Sequence, residues 1–360
     1  MAAIYMLSSY GKLGKKDDTL IFHQPGGESI TLFPYKIECL ILIGNISISG
    51  EALRILAKYK IPTILLSSNG IFNGKITFGE SKNVFLRQKQ YAVLSNESQS
   101  LEIAKSIVVG KIKNQLSFVQ RIKRKSEDNL ADKKIQLEVY KLKSYIVDCD
   151  EADSIEKLRG LEGISARSYF SVFGLNILPE WADFPNRSKN PPKTNVNAVL
   201  SFLYTLLMYR VEGAIMSQGL DYCCGNLHAL TYGKSALVFD LMEEFRTPIA
   251  DTVCCSLFNL GILKEDDFEE VDFSSKNDDY PLEIENEEPK EEVKTGKGIL
   301  LTKDGIKKVV GAFEDKINSL VFYPPTEEKK SYIKIIYEQA AHYKTVISGE
   351  NSSYKPYYFK

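Results

Sequence analysis

Near residue 85 the pattern of apolar residues changes, and that change constrains the fold of this 360-residue chain more than any other feature. Before it come short apolar or β-branched runs, Thr19 to His23, Ile30 to Phe33, Leu40 to Ile43, Thr63 to Ser67 and Gly74 to Phe78. Turn formers such as Pro25-Gly26-Gly27 and Ser68-Asn69-Gly70 separate them, so they read as strands. One stretch between them, Gly50 to Tyr59, has helical spacing with Leu53, Leu56 and Ala57 on one side. After residue 85 helical spacing dominates: Ile135, Val139, Leu142 and Ile146 share a face, as do Val199, Phe202, Leu203 and Leu206. The expectation is an α+β chain with a small β-rich N-terminal domain over 1–85, a linker over 86–100 and a larger all-α domain over 101–360. Within the last, residues 271–297 are acidic, rich in Lys, Asn and Ser and carry two prolines, which reads as a mobile surface insertion.

Hydrophobic residues make up 44% of the chain, enough for at least one sizeable core and consistent with two domains. Four of the six cysteines form two adjacent pairs, Cys223-Cys224 and Cys254-Cys255. That is neither a C-x-x-C zinc spacing nor an evenly spread disulfide framework, so a reduced cytoplasmic setting is expected. The start, Met1 to Leu7, lacks a basic leader and turns polar at Ser8, unlike a signal peptide. No stretch is expected to cross a membrane. The net charge of -1 conceals an asymmetry. Basic residues crowd at Lys111, Lys113, Arg121, Lys123, Arg124, Lys125, Lys133, Lys134, Lys141 and Lys143, while acids crowd from Glu265 to Glu270 and from Asp278 to Glu292. A DNA face need only be locally positive; the alternative for the basic run is a solvated helical face.

Three acids and an imidazole, Glu162, His228, Asp240 and Glu243, are the chemistry-bearing residues. Asp240 and Glu243, three apart on an expected helix, share a face. Oxygen ligands suit Mg2+, and one added imidazole nitrogen makes such a site at least as welcoming to Mn2+. The alternative for each acid is a solvated helical face, and for the histidine a structural role such as His23 or His342 would have.

The same strings resemble the spacer-acquisition integrase family of CRISPR systems, the first-numbered Cas protein. In order along the chain these are Ile46 to Leu53, Ile61 to Gly70, Leu86 to Tyr91, Leu161 to Phe170 around Glu162, Asn195 to Tyr204, Gly219 to His228, Leu237 to Arg246 with Asp251 beyond, and Leu301 to Gly305. The resemblance implies a metal-dependent DNA integrase and endonuclease that inserts captured DNA fragments into a CRISPR array by transesterification, working as a homodimer with the small second-numbered Cas protein. It implies metal ligands at Glu162, His228 and Glu243, a supporting acid at Asp240, and dimerisation and DNA contact by the β-rich domain. Arg87 joins the DNA-binding candidates on the family pattern, whereas Arg167, Lys234 and Arg246 do so because they lie close to the ligands in sequence. Each of these three could instead pair with a local acid such as Glu244 or Asp251. The chain departs from the family where Asp221 is followed by Tyr222 and the pair Cys223-Cys224; these cysteines, and the tail tyrosines Tyr354, Tyr357 and Tyr358, read as packing or partner contacts. Two other readings use the same residues: a non-catalytic DNA-binding scaffold, and a stand-alone nuclease acting on branched DNA.

Overall fold

The computed structural model describes residues 2–79, 83–123, 129–189, 191–273 and 296–359. Arg124, Lys125 and most of the expected insertion, residues 274–295, lie outside the described residues. The chain divides into two compact units, Met1–Glu80 with Glu265–Lys308, and Ser81–Lys264 with Val309–Lys360.

The first unit is built on a mixed six-stranded sheet of order β3-β2-β1-β4-β5-β6. Its strands are β1 (Ala2–Lys16), β2 (Thr19–His23), β3 (Ser29–Leu32), β4 (Ile37–Ile48), β5 (Thr63–Leu66) and β6 (Phe72–Ile76). Strand β1 is absent from the sequence expectation, because its apolar run gives way to Ser8, Ser9 and Tyr10. It pairs with β2 antiparallel and with β4 parallel. The β1/β4 register slips between Leu7 and Tyr10. Gly44 sits opposite with φ +110°, and a Cβ there would lie 2.0 Å from the Ser8 carbonyl oxygen, so only glycine fits the irregularity.

Helix α1 (Gly50–Tyr59) connects the parallel neighbours β4 and β5. Ser49 caps it, its hydroxyl accepting from the Ala52 N–H at 3.2 Å. Ala52, Ile55 and Leu56 are its buried face, whereas Ala57, expected among them, is exposed. They pack with Met6, Leu13, Leu20, Phe22, Leu40 and Leu42 into the unit's core. Strands β7 (Phe268–Asp272) and β8 (Lys297–Leu301) form an antiparallel pair that also belongs to this unit. The Asn69 amide donates to Glu269 at 2.8 Å.

The second unit is helical. Helices α2 (Val84–Ser95) and α3 (Glu97–Lys123) occupy the residues expected as a linker, 86–100. Leu86 and Gln90 are buried one turn apart, and Gln90 exchanges hydrogen bonds with the Asp221 backbone, donating at 2.8 Å and accepting at 2.9 Å. Gln90 is thus a tertiary anchor within the stretch expected as a linker. Helices α4 (Asn129–Asp150), α5 (Ile155–Phe173), α6 (Asn195–Ser217), α7 (Ala236–Phe245) and α8 (Thr252–Asn259) follow. Helix α9 (Lys303–Asn318) begins in the first unit and enters the second at Val309, and the antiparallel pair β9 (Leu320–Tyr323) and β10 (Glu328–Ser331) with α10 (Tyr332–Ser348) complete the second. The expected α+β order, a β-rich part first and a larger helical part after it, is the one observed, with the short strands β7 to β10 interspersed in the second half; β7 and β10 carry Glu269-Glu270 and Glu328-Lys329-Lys330, so pairing rather than propensity makes those two strands.

Helix α6 is long and apolar enough to cross a membrane by length and composition, against the sequence expectation, but 72% of that stretch is buried inside the protein. Beyond its expected face of Val199, Phe202, Leu203 and Leu206, Val196, Ala198, Leu207 and Val211 are also buried, as in a core helix. All ten residues of α7 are buried, including Asp240, Glu243 and Glu244. Buried carboxylates must find partners.

Candidate active site

Each of those three acids finds a different kind of partner. Asp240 anchors the loop that precedes its helix. One carboxylate oxygen, Oδ2, accepts the backbone N–H groups of Asn226 and of Leu227, the latter at 2.9 Å; the other, Oδ1, accepts His228 N–H at 3.0 Å and His228 Nδ1–H at 2.7 Å. Gly225 lets the loop close this tightly, since a Cβ there would lie 2.6 Å from the Ala236 carbonyl carbon and 2.7 Å from Asp240 Oδ2. With the proton held on Nδ1, the Nε2 lone pair of neutral His228 points away from Asp240. Nε2 stands 4.0 Å from Glu243 Oε1. Burial opposes the imidazolium, but Asp240 and Glu243 outweigh it and hold the His228 pKa above its ordinary value.

Glu243 is gripped by cations. Its Oε2 lies 2.7 Å from Lys111 Nζ and its Oε1 3.1 Å from Arg246 Nε. Lys111, on α3, also donates to Glu162 on α5, so two carboxylates from different helices share one ammonium. Burial pushes the Glu243 carboxyl up, but Arg246, Lys111 and His228 together hold it down at about 2. Lys111 is held above the ordinary lysine range by Glu162 and Glu243, despite burial.

Sequence reasoning placed Lys111 only in a basic run. The signal that could have singled it out is positional: Ala104, Ile107, Val108, Gln115 and Phe118 form the buried stripe of α3, and Lys111 lies on it. A lysine on a core stripe calls for a buried acid.

Glu162, Asp240, Glu243 and His228 are thus brought together, but Asp240 has both oxygens committed to the loop. As placed, no three His, Cys, Asp or Glu groups enclose an ion among the described residues. The donor set nevertheless fits a small divalent cation: two carboxylates converge on a point already holding a positive charge, and an imidazole nitrogen with its proton on the far side stands beside them.

The expected DNA-binding residues fare differently. Arg246 is mostly buried, pairs with Glu243, and lies with its guanidinium 4.7 Å from the Tyr204 ring centroid. It follows α7 in a π-helical stretch, Arg246–Asp251, a distortion often found at functional sites. Asp251 accepts from Tyr204 at 2.6 Å and Tyr169 at 2.7 Å. Arg167 is exposed on α5, its Nε donating to the Gly163 carbonyl at 3.4 Å. Arg87 is half-buried on α2, and Lys234 half-buried in the loop after His228. All six cysteines are free, and the Cys224 carbonyl accepts from Gln90 at 3.1 Å.

The third acid of α7, Glu244, holds the chain's end. It accepts from Tyr354 at 2.6 Å, Gln339 at 3.0 Å and the Tyr357 N–H. Burial pushes its pKa up to about 7. Asn114 donates to the carbonyls of Glu244 at 2.8 Å and Tyr357 at 3.0 Å, and accepts Phe359 N–H at 2.9 Å. Tyr354 and Tyr357 therefore pack within this unit, behind the two helices that carry Lys111 and Glu243.

His342 adds a pH-dependent tie to this tail, its Nε2 accepting the Lys355 N–H at 3.0 Å while its ring stacks on Tyr354. Burial and then Lys355 lower its pKa from 6.5. A group whose folded pKa is lowered binds its proton first in the unfolded state, so its contribution is present above about pH 6.5 and is lost as pH falls through the folded value. Hydrogen exchange should show the Lys355 amide losing protection as pH falls below about 6.5, beyond the intrinsic change in exchange rate. His342→Gln should flatten that extra dependence, and a profile identical to the wild type would refute the tie.

Fold and site together define an α+β protein whose helical unit gathers two acids on one ammonium, with an oriented imidazole beside them. The profile described as CRISPR associated protein Cas1 matches residues 4–275, and the chain belongs to that family. It is 28% identical over 359 residues to CRISPR-associated endonuclease Cas1 3 of Thermus thermophilus, spanning 99% of this chain and 97% of the relative. It is 31% identical over 277 residues to CRISPR-associated endonuclease Cas1 of Leptospira interrogans, spanning 76% of this chain and all of the relative, 100%. Among solved structures, a Cas1 protein from Thermotoga maritima superposes with a TM-score of 0.79 at 20% identity, covering 99% of this chain and 100% of the other. A casposase bound to integration product superposes equally, 0.79 at 22% identity, covering 100% and 95% of the two chains.

Proposed function

We propose that the chain is a metal-dependent DNA endonuclease and integrase that inserts captured DNA fragments into a CRISPR array by transesterification. The observation that carries this reading is the convergence of Glu162 and Glu243 on one positive charge, with His228 Nε2 4.0 Å from Glu243. Family membership, the endonuclease names of the relatives and the shared fold with a casposase bound to integration product support it. A complex of Cas6-RT-Cas1 with Cas2, whose Cas1-containing chain superposes with a TM-score of 0.81 at 22% identity over 36% of its length, supports the small second-numbered Cas protein as partner. The homodimer rests on the sequence resemblance.

Glu162, His228 and Glu243 would hold Mg2+ or Mn2+, which when bound polarises a phosphodiester and offsets charge building on phosphorus. The chain's own residues do the positioning. Asp240 keeps the His228 proton on Nδ1, so the ring presents Nε2; Arg246 pairs with Glu243 Oε1 and fixes that carboxylate. No serine or cysteine nucleophile is required.

The test is strand transfer into a supercoiled plasmid bearing an array, with and without the partner and with Mn2+, Mg2+ or chelator. Metal-dependent, partner-stimulated joining supports the reading. Joining that survives chelation would refute its metal dependence, and cleavage without joining would favour the stand-alone nuclease.

Arg167, an exposed cation five residues beyond Glu162 on the same helix, is the expected DNA contact best placed to act through charge alone. Arg167→Gln should lower the slope of log affinity against log salt by roughly 0.9 on duplex DNA, the value for one phosphate contact. An unchanged slope would return it to a solvated helical face.

A further inference from the structure

Lys111 stands where a cofactor's charge would be wanted. Its ammonium is bound by Glu162 from α5 and lies 2.7 Å from Glu243 on α7, and its side chain is 9% exposed. The two carboxylates, at 13% and 2% exposure, would face each other across a poorly solvated space without it. Like charges so placed repel strongly. The Lys111 ammonium therefore does for these acids what a bound cation would do: it neutralises them and holds α3, α5 and α7 in register.

We propose that Lys111 is a built-in counter-ion of the metal-free protein, displaced when a divalent cation binds, and that this competition sets the protein's affinity for metal. The inference rests on the proposed reading of Glu162 and Glu243 as metal ligands. Mg2+ holds carboxylate oxygens at about 2.0–2.1 Å, and an ammonium on the same oxygens would be driven off by charge and by contact. A lysine suits this part, being a compact charge on a four-carbon stem that can swing away. Glu243 does not lose all support when Lys111 leaves, because Arg246 remains on its other oxygen at 3.1 Å.

Mn2+ binding by calorimetry on the full chain decides the matter, comparing wild type, Lys111→Met and Glu162→Ala. Lys111→Met should bind Mn2+ on the order of 10- to 100-fold more tightly, the equivalent of one lost charge-assisted hydrogen-bonded pair. In chelator it should melt at a lower temperature than wild type, and Mn2+ should raise its melting temperature more. Should Lys111→Met fold only when purified with Mn2+, that dependence supports the proposal. A folded Lys111→Met with unchanged or weaker Mn2+ affinity overturns it. Acetylation footprinting of the wild type gives an independent reading: Lys111 should become more reactive when Mn2+ is added, and unchanged reactivity overturns the displacement. Glu162→Ala separates the two levels. If it binds Mn2+ like wild type, the ligand assignment itself is wrong; if it loses binding while Lys111→Met fails to tighten, only the role of Lys111 falls.

Discussion

Glu162→Ala and His228→Ala should each abolish metal-dependent cleavage and joining of DNA while leaving the fold intact. The loss should exceed the roughly 10- to 100-fold typical of removing an outer partner of a metal ligand, because each change removes a group that would touch the ion. The fold should survive for reasons visible in the structure. Glu162→Ala leaves Lys111 paired to Glu243 at 2.7 Å. His228→Ala leaves Asp240 three backbone N–H donors, those of residues 226, 227 and 228. Strand-transfer rates across a Mn2+ titration, beside thermal melts of the same preparations, make the comparison. Wild-type rates at low metal in either folded variant would show that the residue is not a ligand.

The second large effect is expected at Asp240, and it is an effect on structure as much as on chemistry. The resemblance implied only a supporting acid at this position. With each oxygen accepting two hydrogen bonds in a fully buried position, an amide must turn its NH2 toward two of the four donors. Each buried donor left unpaired costs about 1–3 kcal/mol, so Asp240→Asn, with two such donors, should lose about 2–6 kcal/mol of stability. It should also release the His228 ring, with a further loss of activity on the order of 10- to 100-fold at saturating metal. Urea unfolding gives the first quantity and strand transfer in saturating Mn2+ the second. A variant as stable as wild type would show that the loop does not depend on this carboxylate.

Much of this was legible in the chain. The strands at 19–23, 40–43 and 63–66 follow from short apolar runs between turn formers, and α1 was read over the same residues, Gly50–Tyr59, as it forms. These depend on neighbours within a few positions, which is what periodicity reports. The four site residues were nominated by residue type and by family resemblance, and the fold does place them in one unit. Strand β1 escaped because polar residues interrupt its run, β7 and β10 because charge obscures them, and β8 and β9 because each is a single short run beside a helix. The expected linker at 86–100 escaped because the anchor of α2, Gln90, has its partners 131 and 134 residues away.

By itself the sequence determined which stretches could be strand or helix and which side chains could do metal-assisted chemistry, because both are properties of residue type and local spacing. What each acid of α7 does was decided only by tertiary structure. Asp240, Glu243 and Glu244 lie within five positions of one another, yet one anchors a loop, one faces Lys111 and Arg246, and one holds the C-terminal tail at Tyr354 and Tyr357. A buried carboxylate takes its role from the donors that folding brings to it, and here they come from α3, from the loop before α7 and from the C-terminal tail. Spacing within the helix carries no record of them.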